Sequence, residues 1–220
     1  MSARMDVEFA RRQMIEQQVR AWRVLDDRVL GVMAQVRREL FVPPEMRDLA
    51  FADTNIPLGH GQSMFAPKVE GRVLQALELA TGDEVLEVGT GSGYLAACLA
   101  RLTGRVRSVE IFADLSQRAL ENLRASGVGG VTVDMLDAMT LQDTNRYDAI
   151  AVTGSLPVYD NRFQQMLKVG GRLFVVVGEA PVMDALLVRR AAADQWVRES
   201  LFETVLEPLI NAPEPPRFLF

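Results

Sequence analysis

The chain has 220 residues, 49% of them apolar and 24% charged, an ordinary globular composition with enough apolar side chain for one packed core. Its 24 basic and 29 acidic residues leave a net charge of −5, which argues against a nucleic-acid binder working through a strong positive field. A single cysteine, Cys98, excludes an intrachain disulfide framework and points to a reducing compartment. With only one histidine beside it, the chain lacks the ligands a zinc site needs, and no spacing supports the remaining alternative, a purely carboxylate site, so no metal is expected. No apolar run is long enough to span a membrane, and MSARMDVEFARRQ lacks a secretory pattern, so a cytoplasmic protein with no membrane partner is expected. Nothing in the sequence sets an oligomeric state.

In chain order, residues 6–20 place Phe9, Met14 and Val19 among charges at roughly helical spacing. Asp26 is a candidate cap for a second helix, with Val29, Leu30, Met33 and Val36 on one face and Pro43-Pro44 as its stop. An irregular segment over 44–66 precedes a third helix expected from Pro67 to Ala80, since proline suits a first helical turn. The pattern then changes. EVLEVG (84–89) reads as a buried strand, Ser92–Arg101 as a helix, RVRSVE (105–110) as a strand and Asp114–Ser126 as a helix that Gly127 ends. Strands follow at 131–135, 147–153 and 170–178, with a short helix at 160–168 before the last of these. Two more strands, near 185–190 and 196–206, have little helix between them and suggest an antiparallel edge hairpin. The proline-rich NAPEPPRF must pack or fray. The alternation predicts an α/β fold: a doubly wound, mostly parallel, seven-stranded sheet preceded by N-terminal helices. We divide the single unit into N-terminal helices with a substrate-side loop over 1–80 and a ligand-binding core over 81–220.

The segment Glu87-Val88-Gly89-Thr90-Gly91-Ser92-Gly93-Tyr94 lies between strand and helix, where a doubly wound sheet meets its ligand. Glycine there removes side-chain bulk and lets backbone amides approach the ligand. Tyr94 stands where the dinucleotide fingerprint G-x-G-x-x-G needs its third glycine, which disfavours a nicotinamide oxidoreductase. Glu110 closes the second strand, where a carboxylate can accept hydrogen bonds from ribose hydroxyls, and Asp137 follows the third, on the adenine side of the crevice.

These residues resemble the S-adenosylmethionine site of the class I methyltransferases, whose sheet is Rossmann-like. More narrowly, the chain is similar to the protein-L-isoaspartate O-methyltransferase family from about Met14 to at least Gly178. RRELFVP (37–43), FADTNIPLGHGQS (51–63), EVGTGSGYLAACLA (87–100), RVRSVE (105–110), YDAIAVTGSLP (147–157) and LKVGGRLFVVVG (167–178) carry the resemblance. The glycine motif is common to many methyltransferases, whereas the two upstream segments are specific to this family. The resemblance implies that Glu110 binds the ribose, with Ile111 beside it, and that Asp137 and Ala138 hold the adenine end. Glu87 and the turn Gly89, Thr90, Gly91, Ser92 and Gly93 would take the methionine portion. The implied reaction is methylation of an isoaspartyl carboxylate in damaged protein.

The family usually carries Gln-Thr-Ile-Ser where this chain has Gln62-Ser63-Met64-Phe65. Ser63 keeps the first hydroxyl. Phe65 replaces the serine thought to meet the substrate carboxylate, and in addition Leu136-Asp137-Ala138 stands for Gly-Asp-Gly and Thr153-Gly154-Ser155 for Thr-Ala-Ala. On the substrate side the candidates are Gln62, His60, Thr153 and Ser155, the last as a replacement hydroxyl. Phe65 either points into the substrate pocket or packs in the core, and His60 either orients an anion or stands by. Arg37-Arg38 reads as a solvated face or a partner site, and Cys98 as a small core residue. Two further readings stay open: a methyltransferase of this fold with another acceptor, and a cofactor-binding module without catalysis.

Overall fold

The computed structural model describes residues 6–216; the last two residues of NAPEPPRF lie outside them. Asp6 caps the first helix by accepting from the Phe9 amide at 3.1 Å, and α1 runs Val7–Met14. A π-helical turn (Ile15–Val19) and a 3-10 turn (Arg20–Trp22) continue it until Arg23 takes a left-handed φ of 62°. Met14 and Val19 are buried, but Phe9 is 53% exposed. Five residues separate Phe9 from Met14, which puts them about 140° apart around a helix, so Phe9 cannot share the buried face. The second helix, α2 (Asp27–Gln35), has Asp26 as its cap, and α3 (Pro67–Ala76) begins on its proline and stops short of Ala80.

Between α2 and α3 the segment expected to be irregular contains a small hairpin. Strand β1 (Ile56–Gly59) pairs antiparallel with β2 (Gln62–Met64), with Ile56 opposite Met64. These strands are too short to leave an alternating signature.

The main sheet holds β3 (Glu84–Val88), β4 (Arg105–Glu110), β5 (Val131–Met135), β6 (Tyr147–Leu156), β7 (Leu167–Glu179), β8 (Val182–Ala192) and β9 (Gln195–Glu203). Their order is β5-β4-β3-β6-β7-β8-β9, parallel through β7 and antiparallel beyond. Val85, Leu86 and Val88 of β3 and Ala149–Val152 of β6 are nearly inaccessible, as expected of strands covered on both faces. Helices α4 (Tyr94–Thr103) and α5 (Ala113–Ser126) follow β3 and β4, and α6 shrinks to Arg162–Gln165 because β7 already pairs at Leu167 with Tyr147. Every residue of α4 but Arg101 is buried, Cys98 included, so α4 is a core helix. The chain leaves β3 to one side for β4 and β5 and returns to its other side with β6. That reversal opens a crevice at the carboxyl ends of these strands.

Candidate active site

The crevice spans about 600 Å3 of space between its walls, part of it open to solvent, and is a concave site at the strand ends of the kind that takes small ligands. It is lined by Val88 at the end of β3 and Gly89 just after it, Val109 and Glu110 from β4, and Thr153 from β6. Gly89 has φ 91° and Gly91 φ 51°, a region L side chains avoid. A methyl group on Gly89 would lie 2.5 Å from Thr153 Oγ1, and one on Gly91 3.0 Å from Leu58 Cδ1. Gly89 is therefore required by close packing against Thr153 as well as by conformation, and Gly91 chiefly by conformation. The turn is tied to the β4 end: the Gly91 amide donates to Glu110 Oε2 at 2.9 Å, and the Phe112 amide to Oε1 at 3.0 Å. A carboxylate has about four lone-pair positions, so Glu110 retains acceptor capacity toward the crevice.

A smaller pocket of about 310 Å3 adjoins the crevice through Leu58, Ser63, Gly89, Gly91 and Thr153. It adds Met64, Phe65, Glu70, Glu87, Thr90, Ser92 and Leu95. Glu87 is fully buried, and Ser108 donates to its Oε2, while the Thr90 and Ser108 hydroxyl oxygens lie 2.6 Å apart. Its other oxygen, Oε1, is buried with no hydrogen-bond partner among the described residues. Burial pushes the Glu87 carboxyl up to about 8, against the lowering effect of Ser108, with nearby Glu110 and Glu70 adding to the rise. A buried acid with an unpaired oxygen beside a glycine turn suits a cationic ligand group.

Arg38, entirely buried, anchors the far wall. It pairs with Glu70, its Nε donates to the Ala50 carbonyl at 2.8 Å, and its Nη2 donates to the Phe65 carbonyl at 2.6 Å. Its guanidinium carbon stands 4.9 Å from the centroid of the Tyr94 ring. Burial raises Glu70 to about 7, with Arg38 opposing the shift. The adjacent arginines thus separate: Arg37 is exposed, whereas Arg38 is neither a solvated face nor a partner site.

At the opposite end the β1–β2 hairpin lies over the glycine turn. Its tip residue His60 has φ 54°, donates through Nε2 to Asp114 Oδ1 at 2.9 Å, and stacks on Phe112 with centroids 4.1 Å and planes 8° apart. Phe112 itself lines the crevice. The hydrogen bond to His60 holds the exposed Asp114 carboxyl below its ordinary range.

Of the residues singled out from the sequence, Gln62, Ser63, Gly89, Gly91, Glu110, Ile111, Asp137, Ala138 and Thr153 line the crevice. Phe65, Glu87, Thr90 and Ser92 line the adjoining pocket. Phe65 is only 7% exposed and belongs to the main hydrophobic core, so it packs inward while bordering the pocket. Gly93 and His60 line neither space. Ser155 must be corrected as a replacement hydroxyl. It is buried, and its Oγ donates to the Leu206 carbonyl at 2.9 Å, away from both spaces. The pairing register of β6 with β7 shifts between Ala151 and Ser155, which breaks the simple alternation that would place Ser155 on the same side as Thr153.

Sequence comparison decides the family. Residues 10–212 match the profile of the protein-L-isoaspartate(D-aspartate) O-methyltransferase family (PCMT). The chain belongs to this family. It is 38% identical over 214 residues to protein-L-isoaspartate O-methyltransferase 1 of Rhodopseudomonas palustris (strain HaA2), covering 93% of this chain and 87% of that one. It is 40% identical over 208 residues to the protein-L-isoaspartate O-methyltransferase of Aeropyrum pernix, covering 92% and 80%. The fold matches, with a TM-score of 0.78 and 21% identity, that of a Plasmodium falciparum protein described as a protein-L-isoaspartate O-methyltransferase in complex with S-adenosyl-L-homocysteine; the match covers 90% of this chain and 97% of that one.

Within this PCMT-family chain, residues that sequence reasoning missed include Arg38, Glu70, Leu58, Phe112, Leu209 and Ile210, all placed at or behind the walls. Leu58 and Phe112 had a usable signal, since Leu58 lies within FADTNIPLGHGQS and Phe112 directly follows Glu110 and Ile111. Leu209 and Ile210 had none, lying far along the chain in a tail without strand or helix pattern.

Proposed function

We propose that this chain transfers a methyl group from S-adenosylmethionine to the carboxylate of L-isoaspartyl or D-aspartyl residues in damaged proteins. The observation that carries the cofactor half is the pair of acids at the glycine turn: Glu87 with its buried unpartnered Oε1, and Glu110 fastened to the Gly91 amide. The residues fit the group. Glu110 has acceptor capacity for a ribose diol, Glu87 suits the amino acid's ammonium, and Gly89, Gly91, Thr90 and Ser92 leave room for the methionine portion. Ile111, Leu136, Asp137 and Ala138 would border the adenine end. When bound, S-adenosylmethionine supplies an electrophilic methyl group on a sulfonium.

The acceptor half rests on family membership and on the chemistry the walls permit. A side-chain carboxylate is already ionised at neutral pH, so the chain need supply no strong base. Its contribution is orientation, with Ser63 and Gln62 as the polar groups at the junction of the two spaces and Thr153 holding the glycine turn through contacts of 2.9 and 2.8 Å to the carbonyls of Val88 and Gly89. The two acids that line the smaller pocket do not repel an anion, because Glu70 is paired with Arg38 and Glu87 is neutral at pH 7 until a cation reaches it. The hydroxyl lost at Phe65 is worth about 1.5–3 kcal/mol, or roughly ten- to a hundredfold in rate.

We further propose that residues 1–80 form the acceptor side and 81–220 the cofactor side of one structural unit, and that the protein works in the cytoplasm on protein or peptide acceptors rather than nucleic acid. The lone buried cysteine supports a reducing compartment, and no helix among the described residues is long and apolar enough to cross a membrane.

The test is methyl transfer from labelled S-adenosylmethionine to an isoaspartyl peptide, with the aspartyl peptide as control. Transfer specific to the isoaspartyl form supports the proposal. Cofactor binding with no transfer to either peptide favours the second reading, a different acceptor, for which the apolar Phe65 border of the pocket is the specific observation.

A further inference from the structure

The tail after β9 returns to the crevice. Ser155 donates its amide to the Glu207 carbonyl at 2.8 Å and accepts from the Leu209 amide at 2.9 Å, and its hydroxyl binds the Leu206 carbonyl. Leu209 then occupies space that only a glycine leaves open: a methyl group on Gly154 would lie 2.5 Å from Leu209 Cδ2. Past Leu209 the chain turns, with the Ala212 amide donating to the Leu209 carbonyl at 3.2 Å and Asn211 at φ 62°. Leu209 and Ile210 face the crevice beside Leu136, Asp137 and Ala138.

The Asp137 carboxylate is gripped from two sides. Its Oδ1 accepts from the Met139 amide at 2.8 Å, and its Oδ2 accepts from Asn211 Nδ2 at 2.9 Å. Each carboxylate oxygen keeps a lone pair beyond those used, and the double grip leaves the side chain one orientation.

We infer that the turn Leu209–Ala212 is a fixed wall of the nucleoside end of the site, and that Asn211 is a positioning residue that aims Asp137 at the exocyclic amine of adenine. The inference rests on the proposed function, because it takes the ligand to be an adenosyl sulfonium. It also gives Gly154 a role: the glycine admits Leu209, and Leu209 sets the turn that presents Asn211. The competing account is that Asn211 is present only because asparagine tolerates a left-handed backbone.

Asn211→Gly separates the two accounts, since glycine keeps the left-handed turn and removes the amide. Affinities of the full chain for S-adenosylmethionine, S-adenosylhomocysteine and 5′-methylthioadenosine are measured by calorimetry, with the thermal midpoint without ligand as control. The expected result is a loss of about three- to tenfold for all three ligands by a similar factor, with the midpoint unchanged. In turnover, KM for the methyl donor rises by that factor and kcat holds. Should glycine loosen the turn, Asn211→Asp tolerates the same backbone, removes the donor and sets a second carboxylate against Asp137, and a larger loss for all three ligands is expected. Wild-type affinity in these variants overturns the inference, as does a loss confined to the two ligands that carry the amino-acid portion. Failure of the wild-type chain to bind any of the three would instead overturn the proposed function, and the inference with it.

Discussion

The guanidinium of Arg38 holds the backbone carbonyl of Phe65 at 2.6 Å while pairing with Glu70 beneath it. Position 65, where the family resemblance leads one to expect a serine, is therefore fixed in space by a buried charge, through a backbone atom that no side-chain substitution removes. Arg38→Met keeps the volume and abolishes both contacts. Leaving Glu70 buried without its partner costs about 3–5 kcal/mol, so a loss of that size is expected in urea unfolding, together with a higher KM for the acceptor. A variant as stable as the natural chain would mean that the pair contributes nothing net.

Phe65→Ser supplies the hydroxyl that the family resemblance leads one to expect but empties part of the core. Large-to-small substitution of a buried phenylalanine costs about 3–5 kcal/mol, and Phe65 is 7% exposed within the main cluster. The expected outcome is a lower thermal midpoint in every case. If the hydroxyl reaches the acceptor, kcat/KM for an isoaspartyl peptide rises despite that loss, when both chains are assayed well below their midpoints. An unchanged kcat/KM would show that position 65 acts through packing alone.

His60 fastens the hairpin tip to the rim of the crevice by its stack on Phe112 and its bond to Asp114. Neither contact is deep, since the His60 side chain is 40% exposed, so its removal should leave global stability nearly unchanged. The expected effect is kinetic: His60→Ala should speed dissociation of S-adenosylhomocysteine by about three- to tenfold, read by stopped-flow displacement. Asp114→Asn should show part of that effect. Equal off-rates in all three chains would mean that the hairpin does not limit ligand release.

The parts of this fold that were legible were those whose residues respond to local pattern. Strands β3 and β6 announce themselves because strands buried on both faces read as apolar runs, while Gly127 marks a helix end by its left-handed backbone and Asp26 marks a helix start by its side-chain cap. The glycine turn, Glu110 and Asp137 were legible because ligands meet this kind of sheet at its strand ends. The hidden features are non-local. Arg38 looks like any charged residue until Glu70, Ala50 and Phe65, 32, 12 and 27 positions away, converge on it. Ser155 sits two residues from Thr153, yet the register shift in β6 and the returning tail decide where its hydroxyl goes. The hairpin at 56–64 was hidden for another reason: three or four residues per strand are too few to show alternation.

Glu87 makes the site a proton donor on binding. Its carboxyl ordinarily titrates near 4.5 and is pushed by burial to about 8 in the folded chain, so at pH 7 it carries a proton there and would lose it in the unfolded chain. The folded state binds more protons between these two values, so this group's contribution to stability is present below about pH 4.5 and is lost as pH rises through about 8. Unfolding free energy should therefore fall from pH 5 to pH 8.5. Glu70, raised to about 7 beside Arg38, contributes a slope of the same sign, and Glu87→Gln isolates its neighbour by removing only the Glu87 part. Binding reverses the protonation: a ligand ammonium against Oε1 favours the carboxylate, so S-adenosylmethionine should release about one proton at pH 7. Calorimetry in buffers of different ionisation enthalpy reads that number directly. 5′-Methylthioadenosine, which has no ammonium, should release none, and Glu87→Gln should release none with either ligand. A binding enthalpy for S-adenosylmethionine that is independent of buffer would show that Glu87 does not meet the cation.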